Sequence, residues 1–198
     1  QLIPTGGTPI SEIERMGDTR AVIEFGSMFN KGTQRMKDAG NIQTAGEWLE
    51  TTHYVPNNQM PMPIGIEASD RLMETLKKLS GHEIPEKHRK ERGRLVDSYV
   101  DAHKYVFGKK ALIYGEEDFA SALADWLREI GVEPLWIKGA DFETLKEKAV
   151  DFKPDFVMGN SKGYYIARER KIPLIRIGFP IHDRFGGSRI NQIGYRGT

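Results

Sequence analysis

Two aspartates that lie four residues apart, Asp97 and Asp101, are candidate ligands for a metal ion. They fall in a stretch of helical periodicity, residues 86–105, so their carboxylates project from one helix face about one turn apart. Like charges at this spacing repel by a few tenths of a kcal/mol unless a cation or a partner's arginine neutralises them. Hard oxygen ligands suit Ca, Mg, Mn or Fe, but two are too few to complete a site. The alternative is a solvated acidic face balanced by Arg94 and Lys104.

Two polar loops are candidates for binding a small ligand. In the sequence Gly159-Asn-Ser-Lys-Gly163, the serine could cap a helix and the lysine could offer its charge to a carboxylate or phosphate. The sequence His182-Asp-Arg184 supplies an acid–base group, a carboxylate and a guanidinium. The alternatives are a capped turn with a solvated lysine and a structural Asp–Arg pair that fixes the second loop. The candidate ligand-binding residues are Ser161, Lys162, His182, Asp183 and Arg184. No set of residues for nucleophilic catalysis can be assembled, so no catalytic residue is predicted.

Short apolar runs in the second half predict the strands that position these loops. The runs are residues 110–114, 133–137, 155–158 and 173–177, and the helical stretches between them are residues 117–130, 141–150 and 162–170. This alternation predicts a parallel sheet with right-handed crossovers in a doubly wound α/β lobe. Ligands bind beyond the carboxyl ends of such strands, so the loops that follow them are expected to line one edge.

The first half is less regular and predicts a second, partial α/β lobe. Its expected elements are a helix from Thr8-Pro9 to about Met16, a strand at residues 21–25, a helix at about 29–39, a proline-rich extended connection at 55–63 and a helix at 69–79. We expect a partial lobe over residues 1–82 and a second lobe over residues 83–198, linked by a long helix at 86–107.

Composition excludes several classes of protein. The chain is 38% apolar and has 29 basic against 28 acidic residues, which argues against disorder and against a nucleic-acid binder. No apolar run is long enough for a membrane helix, so a cytoplasmic protein is expected. The absence of cysteine excludes disulfides and any thiolate-ligated cluster carried by this chain alone. Because it begins at Gln1 and ends after a glycine-rich loop, we expect it to be cut from a longer polypeptide.

Several segments, taken together and in order, resemble the nitrogenase component 1 family. The resemblance is to the β-type branch, which contains the molybdenum–iron protein β subunit and a related cofactor-assembly scaffold subunit. It covers nearly the whole chain, and the segments that carry it most clearly are residues 91–97, 101–103, 108–110, 153–156, 159–163 and 172–184.

The resemblance implies fold, partners and cofactors. Family members are built from three Rossmann-like α/β domains, so this chain is expected to form three-layer α/β/α lobes as part of that architecture. The full protein would pair with an α-type paralogue, receive electrons from an ATP-dependent iron protein and hold an iron–sulfur or iron–molybdenum cluster. The chain alone is expected to bind no cluster and to be inactive, although it could self-associate. It would serve partner contact and shape the cofactor cavity.

The resemblance also bears on the metal site and on the branch. It implies that Asp97 and Asp101 contribute to a divalent metal site at the contact between β subunits, with the other ligands outside this chain. Two departures favour the assembly scaffold over the catalytic subunit: residues 185–198 replace a His-rich stretch, and the connection from Ile137 to Asp155 lacks a long insertion. The alternative function is an α/β module that binds a small anion without a metal cluster.

Overall fold

The computed structural model describes residues 10–26 and 43–198, and its contacts divide the chain into two units, Gln1–Pro61 and Met62–Thr198. The division lies earlier than the boundary at residues 82 and 83 expected from the sequence, and within the proline-rich connection. The long helix expected to link two lobes lies wholly inside the second unit. The helix expected at residues 29–39 and the start of the first expected helix lie outside the described residues.

The described part of the first unit is a small parallel α/β element. Its elements are α1 (Ile10–Ile13), a 3₁₀ turn (Glu14–Asp18), β1 (Val22–Phe25), α2 (Ala45–His53) and β2 (Asn57–Met60). β1 and β2 pair in parallel, with Val22 opposite Asn57. Helix α2 was not predicted from the sequence, and it begins with a capping box in which the Thr44 side chain accepts from the Glu47 N–H and the Glu47 carboxylate accepts from the Thr44 N–H.

The second unit begins with two helices and continues as a repeated strand–helix pattern. The helices are α3 (Gly65–Ser80) and α4 (Glu86–Val106), and the pattern runs through β3 (Lys110–Ile113), α5 (Glu117–Glu129), β4 (Glu133–Leu135), α6 (Phe142–Phe152), β5 (Phe156–Gly159), a 3₁₀ turn (Ser161–Gly163), α7 (Tyr164–Arg170) and β6 (Leu174–Arg176). A 3₁₀ turn (Gly187–Arg189) and the short helix α8 (Gly194–Gly197) follow. None of the described helices is long and apolar enough to cross a lipid bilayer.

The four strands of this unit form a parallel sheet in the order β4-β3-β5-β6, as the strand–helix alternation predicts. Side chains alternate between its two faces. Ala111 and Ile113 of β3 pack with Leu123 and Leu127 of α5 in one buried cluster. Leu112 lies in a second cluster with residues of α6 and α7, namely Leu145, Ala149 and Ile166. The unit is therefore a three-layer α/β/α structure, which confirms the predicted fold class.

The free N–H groups at the start of α3 donate to residues from distant parts of the same unit. Its preceding residue, Ile64, offers no side-chain cap. Instead the Glu129 carboxylate accepts from the Ile66 N–H at 2.9 Å, and the Thr198 hydroxyl accepts from the Gly65 N–H at 3.0 Å. The first N–H groups of a helix have no partner within the helix, and here Glu129 of α5 and Thr198, which follows α8, accept from two of them.

Helix α8 is held by a second polar contact. The Tyr195 hydroxyl donates to Oδ1 of Asp70 at 2.6 Å, and Arg92 donates to both oxygens of the same carboxylate. This bidentate arrangement joins α3, α4 and α8, and we call Asp70, Arg92 and Tyr195 the α8 clasp.

Candidate functional site

The carboxyl ends of β3 and β5 border a cavity of about 470 Å³. From β3 the chain crosses to β4 on one side of the sheet and then returns to β5 on the other. Neighbouring loops therefore run in opposite directions away from this point and leave a crevice, which is where open α/β sheets bind ligands. The cavity is bordered by the loop after β3, the Asn160 turn after β5 and the segment 190–192.

Apolar and amide groups dominate the cavity wall. Phe119, Ile177, Phe179 and Ile190 are among its apolar lining residues, and Glu116 is the one charged residue among the described residues that line it. None of the five ligand-binding residues predicted from the sequence lines this cavity. The sequence predicted that the loops after the strands line one edge of the sheet. It did not predict this crevice, because the crevice depends on the order of the strands rather than on any local motif.

Ser161 and Asp183 are brought together beside the cavity, as part of a bonded set that includes Arg176. The Ser161 hydroxyl donates to Oδ1 of Asp183, and Arg176 donates from Nε to Oδ2 at 2.7 Å. These bonds hold the pKa of Asp183 well below its ordinary value, first through Arg176 and then through Ser161. The Asp183 carboxylate therefore stays ionised, and it fixes the loops after β5 and β6 against each other.

The side chains of the other three predicted ligand-binding residues form no hydrogen bond with the side chains of Ser161, Asp183 and Arg176. Lys162, His182 and Arg184 are exposed. The His182 N–H donates to the Ser161 hydroxyl at 3.1 Å, whereas the Arg184 guanidinium donates to the Asp183 carbonyl at 2.9 Å. The Asp–Arg pair expected within residues 182–184 thus forms with Arg176 instead. Anion binding by these residues stays a prediction.

Tyr114 joins the loops after β3 and β5 and was not singled out in the sequence. Its hydroxyl donates to the Asn160 carbonyl and accepts from the Gly163 N–H at 2.8 Å. Burial raises the pKa of Tyr114 to about 12, so the phenol stays protonated at neutral pH. The turn is capped by Asn160, whose side chain accepts from the Lys162 N–H, rather than by Ser161 as predicted, because Ser161 donates to Asp183.

Asp97 and Asp101 lie one turn apart on α4, and both are exposed. Among the described residues, neither carboxylate has an ion-pair partner, so the expected balancing residues Arg94 and Lys104 form no ion pair with them. No group of three or more His, Cys, Asp or Glu side chains within residues 10–26 and 43–198 is arranged to hold a metal ion. The metal site therefore stays a prediction that requires ligands from outside the described residues.

Comparison with known proteins places the chain in a family. A family model described as nitrogenase component 1 type oxidoreductase matches residues 1–137 and 134–198. The chain belongs to the nitrogenase component 1 family. This result confirms the resemblance found in the sequence.

Two relatives of this chain are β chains of nitrogenases. The chain is 33% identical to the nitrogenase molybdenum–iron protein beta chain of Azotobacter vinelandii, in an alignment covering 98% of this chain and 46% of that one. It is 34% identical to the nitrogenase vanadium–iron protein beta chain of Trichormus variabilis, covering 78% and 41%. The solved structure "Nitrogenase Cp1 at pH 6.5" matches with a TM-score of 0.81 and 28% identity, over 100% of this chain and 46% of that one. The chain thus spans about half the length of these relatives.

Proposed function

We propose that this chain is part of a β-type subunit that pairs with an α-type paralogue in the cytoplasm. Family membership and the likeness to β chains of two kinds of nitrogenase support this pairing. Within the pair, we propose that the subunit serves as a scaffold on which an iron–molybdenum cofactor is assembled, with electrons supplied by an ATP-dependent iron protein.

The observation that carries the scaffold role is a shortened connection after β4. The two matched segments of the family model overlap at residues 134–137, at the end of β4. The alignment with the A. vinelandii chain runs over 244 residues although this chain has 198, so the relative contains residues that are absent here. The resemblance places a long insertion of the catalytic subunit between Ile137 and Asp155. Here that connection holds only α6 and its flanking turns.

The residues of this chain do not fit an iron–sulfur or iron–molybdenum cluster. The chain has no cysteine to supply a thiolate, and the described residues contain no other group of three metal-ligating side chains. In the proposed scaffold the cluster ligands would come from other parts of the complex. This chain would supply a rigid α/β unit and a surface for partner contact.

The end of α4 has the character of a contact surface. Val100, Tyr105 and Phe107 are 73%, 69% and 66% exposed, and they lie close in sequence to Asp97 and Asp101. Large apolar side chains grouped on a surface mark sites of protein contact. We propose that this face meets a second β-type subunit, whose ligands would complete a divalent metal site at the two aspartates.

The scaffold proposal is tested by co-purification and activity. The polypeptide that carries this chain is expressed with its α-type paralogue under cofactor-forming conditions, and the complex is isolated through a tag on one subunit. We expect the complex to activate a cofactor-free molybdenum–iron protein and not to reduce dinitrogen to ammonia with an iron protein. Sustained ammonia formation by the complex itself would overturn the scaffold role, and failure of the two subunits to co-purify would overturn the pairing.

A further inference from the structure

The cavity between the loops after β3 and β5 has the size of a small-molecule site. Its volume of about 470 Å³ lies within the range of roughly 300–1,000 Å³ found for ligand pockets, and it lies at the point where the strand order reverses. Its position in the sheet is that in which doubly wound folds bind nucleotides. The residues that line it do not include Asp97, Asp101 or the exposed apolar residues at the end of α4.

The entrance to α5 is unsuited to a phosphate. In nucleotide-binding folds, the phosphate accepts hydrogen bonds from N–H groups at the start of the helix after the first strand. Here the Glu116 carboxylate already accepts from the N–H groups of Asp118 and Phe119, at 3.2 and 2.9 Å. An anion at this place would have to displace that carboxylate and would be repelled by it. No lysine or arginine is found among the described residues that line the cavity.

The rest of the wall suits a flat molecule that is neutral or cationic. Phe119 and Phe179 both line the cavity, and Phe179 is 82% exposed, so its ring is available for stacking. The amide oxygen of Gln192 accepts from the Gly178 N–H at 3.0 Å, and this bond fixes the side chain at the wall. The amide nitrogen of Gln192 has no partner among the described residues, which leaves a donor for a ligand acceptor atom.

We propose that this cavity binds a planar heteroaromatic molecule without negative charge, of the size of a purine base or its nucleoside. The aromatic rings supply the stacking surface, the Gln192 amide donates to a ring nitrogen or carbonyl, and Glu116 excludes the phosphorylated form. Binding involves no covalent step. The proposal goes beyond the scaffold role and does not depend on it.

Adenosine and adenosine 5′-monophosphate are matched probes, because they share the base and differ in the phosphate. Their dissociation constants for the 198-residue chain are measured by titration calorimetry and by saturation-transfer NMR. We expect adenosine to bind at least tenfold more tightly than the monophosphate. The variant Glu116→Gln should reduce this ratio, since the repelling charge is removed. Absence of adenosine binding at its solubility limit, or equal or tighter binding of the monophosphate, would overturn the proposal.

Two phenylalanines of the same loop provide a matched pair of variants. Phe179 lines the cavity, whereas Phe185 is fully exposed and does not. We expect Phe179→Ala to weaken adenosine binding at least fivefold and Phe185→Ala to leave it within a factor of two. Equal effects of the two substitutions would show that adenosine binds elsewhere on the loop and would refute the assignment. Circular dichroism of each variant verifies that the fold is kept.

Discussion

Arg176 and Asp183 form an ion pair in which Nη2 of the guanidinium lies 2.5 Å from Oδ2 of the carboxylate. The Arg176 side chain is 14% exposed and that of Asp183 is 30% exposed, so both partners keep some contact with water. It joins the last residue of β6 to a loop seven residues farther along the chain. Through Ser161 the same carboxylate reaches the turn after β5. One aspartate thus orders two of the loops at the carboxyl edge of the sheet.

The substitution Asp183→Asn is expected to lower the free energy of unfolding at pH 7, because it removes the charge that Arg176 pairs with. The folded pKa of Asp183 lies below its unfolded value of about 3.9, so the stabilisation is full above that pH and is lost as the pH falls through the folded pKa. The stability gap between wild type and variant should therefore be smaller at pH 3 than at pH 7. Urea unfolding at both pH values measures it, and Asp125→Asn, in an exposed helix pair, is the control. A gap that widens at low pH would contradict the assignment.

The substitution Tyr114→Phe removes the hydroxyl that joins the turns after β3 and β5. The Gly163 N–H and the Asn160 carbonyl would each lose a partner, at a cost of about 1–3 kcal/mol in unfolding free energy. Tyr165→Phe is the matched control, since Tyr165 is 78% exposed and should change stability by less than about 0.5 kcal/mol. Thermal and urea unfolding compare the two variants, and equal stabilities would show that the hydroxyl does not hold the turns together.

Gly65 is the first residue of α3 and Gly81 follows its last residue, and both have positive φ, at +87° and +72°. A Cβ at position 81 would meet no atom within 4 Å, so Gly81→Ala should cost only the left-handed backbone penalty, roughly 1–2 kcal/mol. A Cβ at position 65 would collide with Oε2 of Glu129. The other oxygen of this carboxylate, Oε1, accepts from the Ile66 N–H at the start of α3. We expect Gly65→Ala to cost at least about 1 kcal/mol more than Gly81→Ala. Urea unfolding of both variants tests the difference, and the reverse order would refute the role of Glu129 as the cap.

The substitution Glu129→Gln should make stability less dependent on pH. Burial raises the pKa of Glu129, so its carboxylate binds a proton more readily in the folded chain than in the unfolded one. A carboxyl whose pKa is higher in the folded chain than in the unfolded chain stabilises the folded state at low pH. That stabilisation is lost as the pH rises from the unfolded pKa through the folded pKa. Between pH 4 and pH 7, the free energy of unfolding should therefore fall less in the variant than in the wild type. Unfolding titrations across this range measure the change, with Glu133→Gln, on an exposed strand residue, as the control.

The acidic pair on α4 is expected to take a divalent cation only in the assembled complex. In the 198-residue chain, Mn²⁺ should shift the melting temperature equally in wild type and in Asp97→Asn/Asp101→Asn, because two carboxylates alone do not complete a site. In the complex of full subunits, the double variant should lose bound metal, as measured by elemental analysis. The control is Glu143→Gln/Glu147→Gln, which removes an exposed pair at the same spacing on α6. Unchanged metal content in the first variant would exclude the site.

Hydrophobic patterning was enough to predict the parallel sheet of the second unit and the helices that cover it, but not where the unit begins. The buried residues of β3 and β5 form continuous apolar runs, and the apolar stripe of α5 ends before Gly131, whose φ is +81°. These local signals agree with the tertiary structure, so the sheet and its covering helices could be predicted. Helix α2 was missed because only Gly46 and Leu49 of its residues are buried. Its one clear sequence signal was the capping box at Thr44 and Glu47.

The details of the candidate site depend on contacts that sequence spacing does not encode. Arg176 lies in a strand and could be interpreted only as a strand residue, and its pairing with Asp183 depends on the path of the intervening loop. The cavity depends on the reversal of strand order between β3 and β5. The sequence predicts that the strands pair in parallel, but it does not predict the order in which they lie in the sheet. Local patterns therefore identified the edge but not the crevice within it.

The contact between Gly65 and Thr198 has a consequence for how the second unit forms during synthesis. These residues are 133 positions apart, and the α8 clasp joins Asp70 to Tyr195 over 125 positions. In a growing polypeptide, the Gly65 N–H of α3 therefore lacks its acceptor until residue 198 has been translated. Contacts of such long range slow folding, because the loop must close before they contribute. We expect the nascent unit to expose the first turn of α3 for most of its translation, the interval in which a chaperone would bind it.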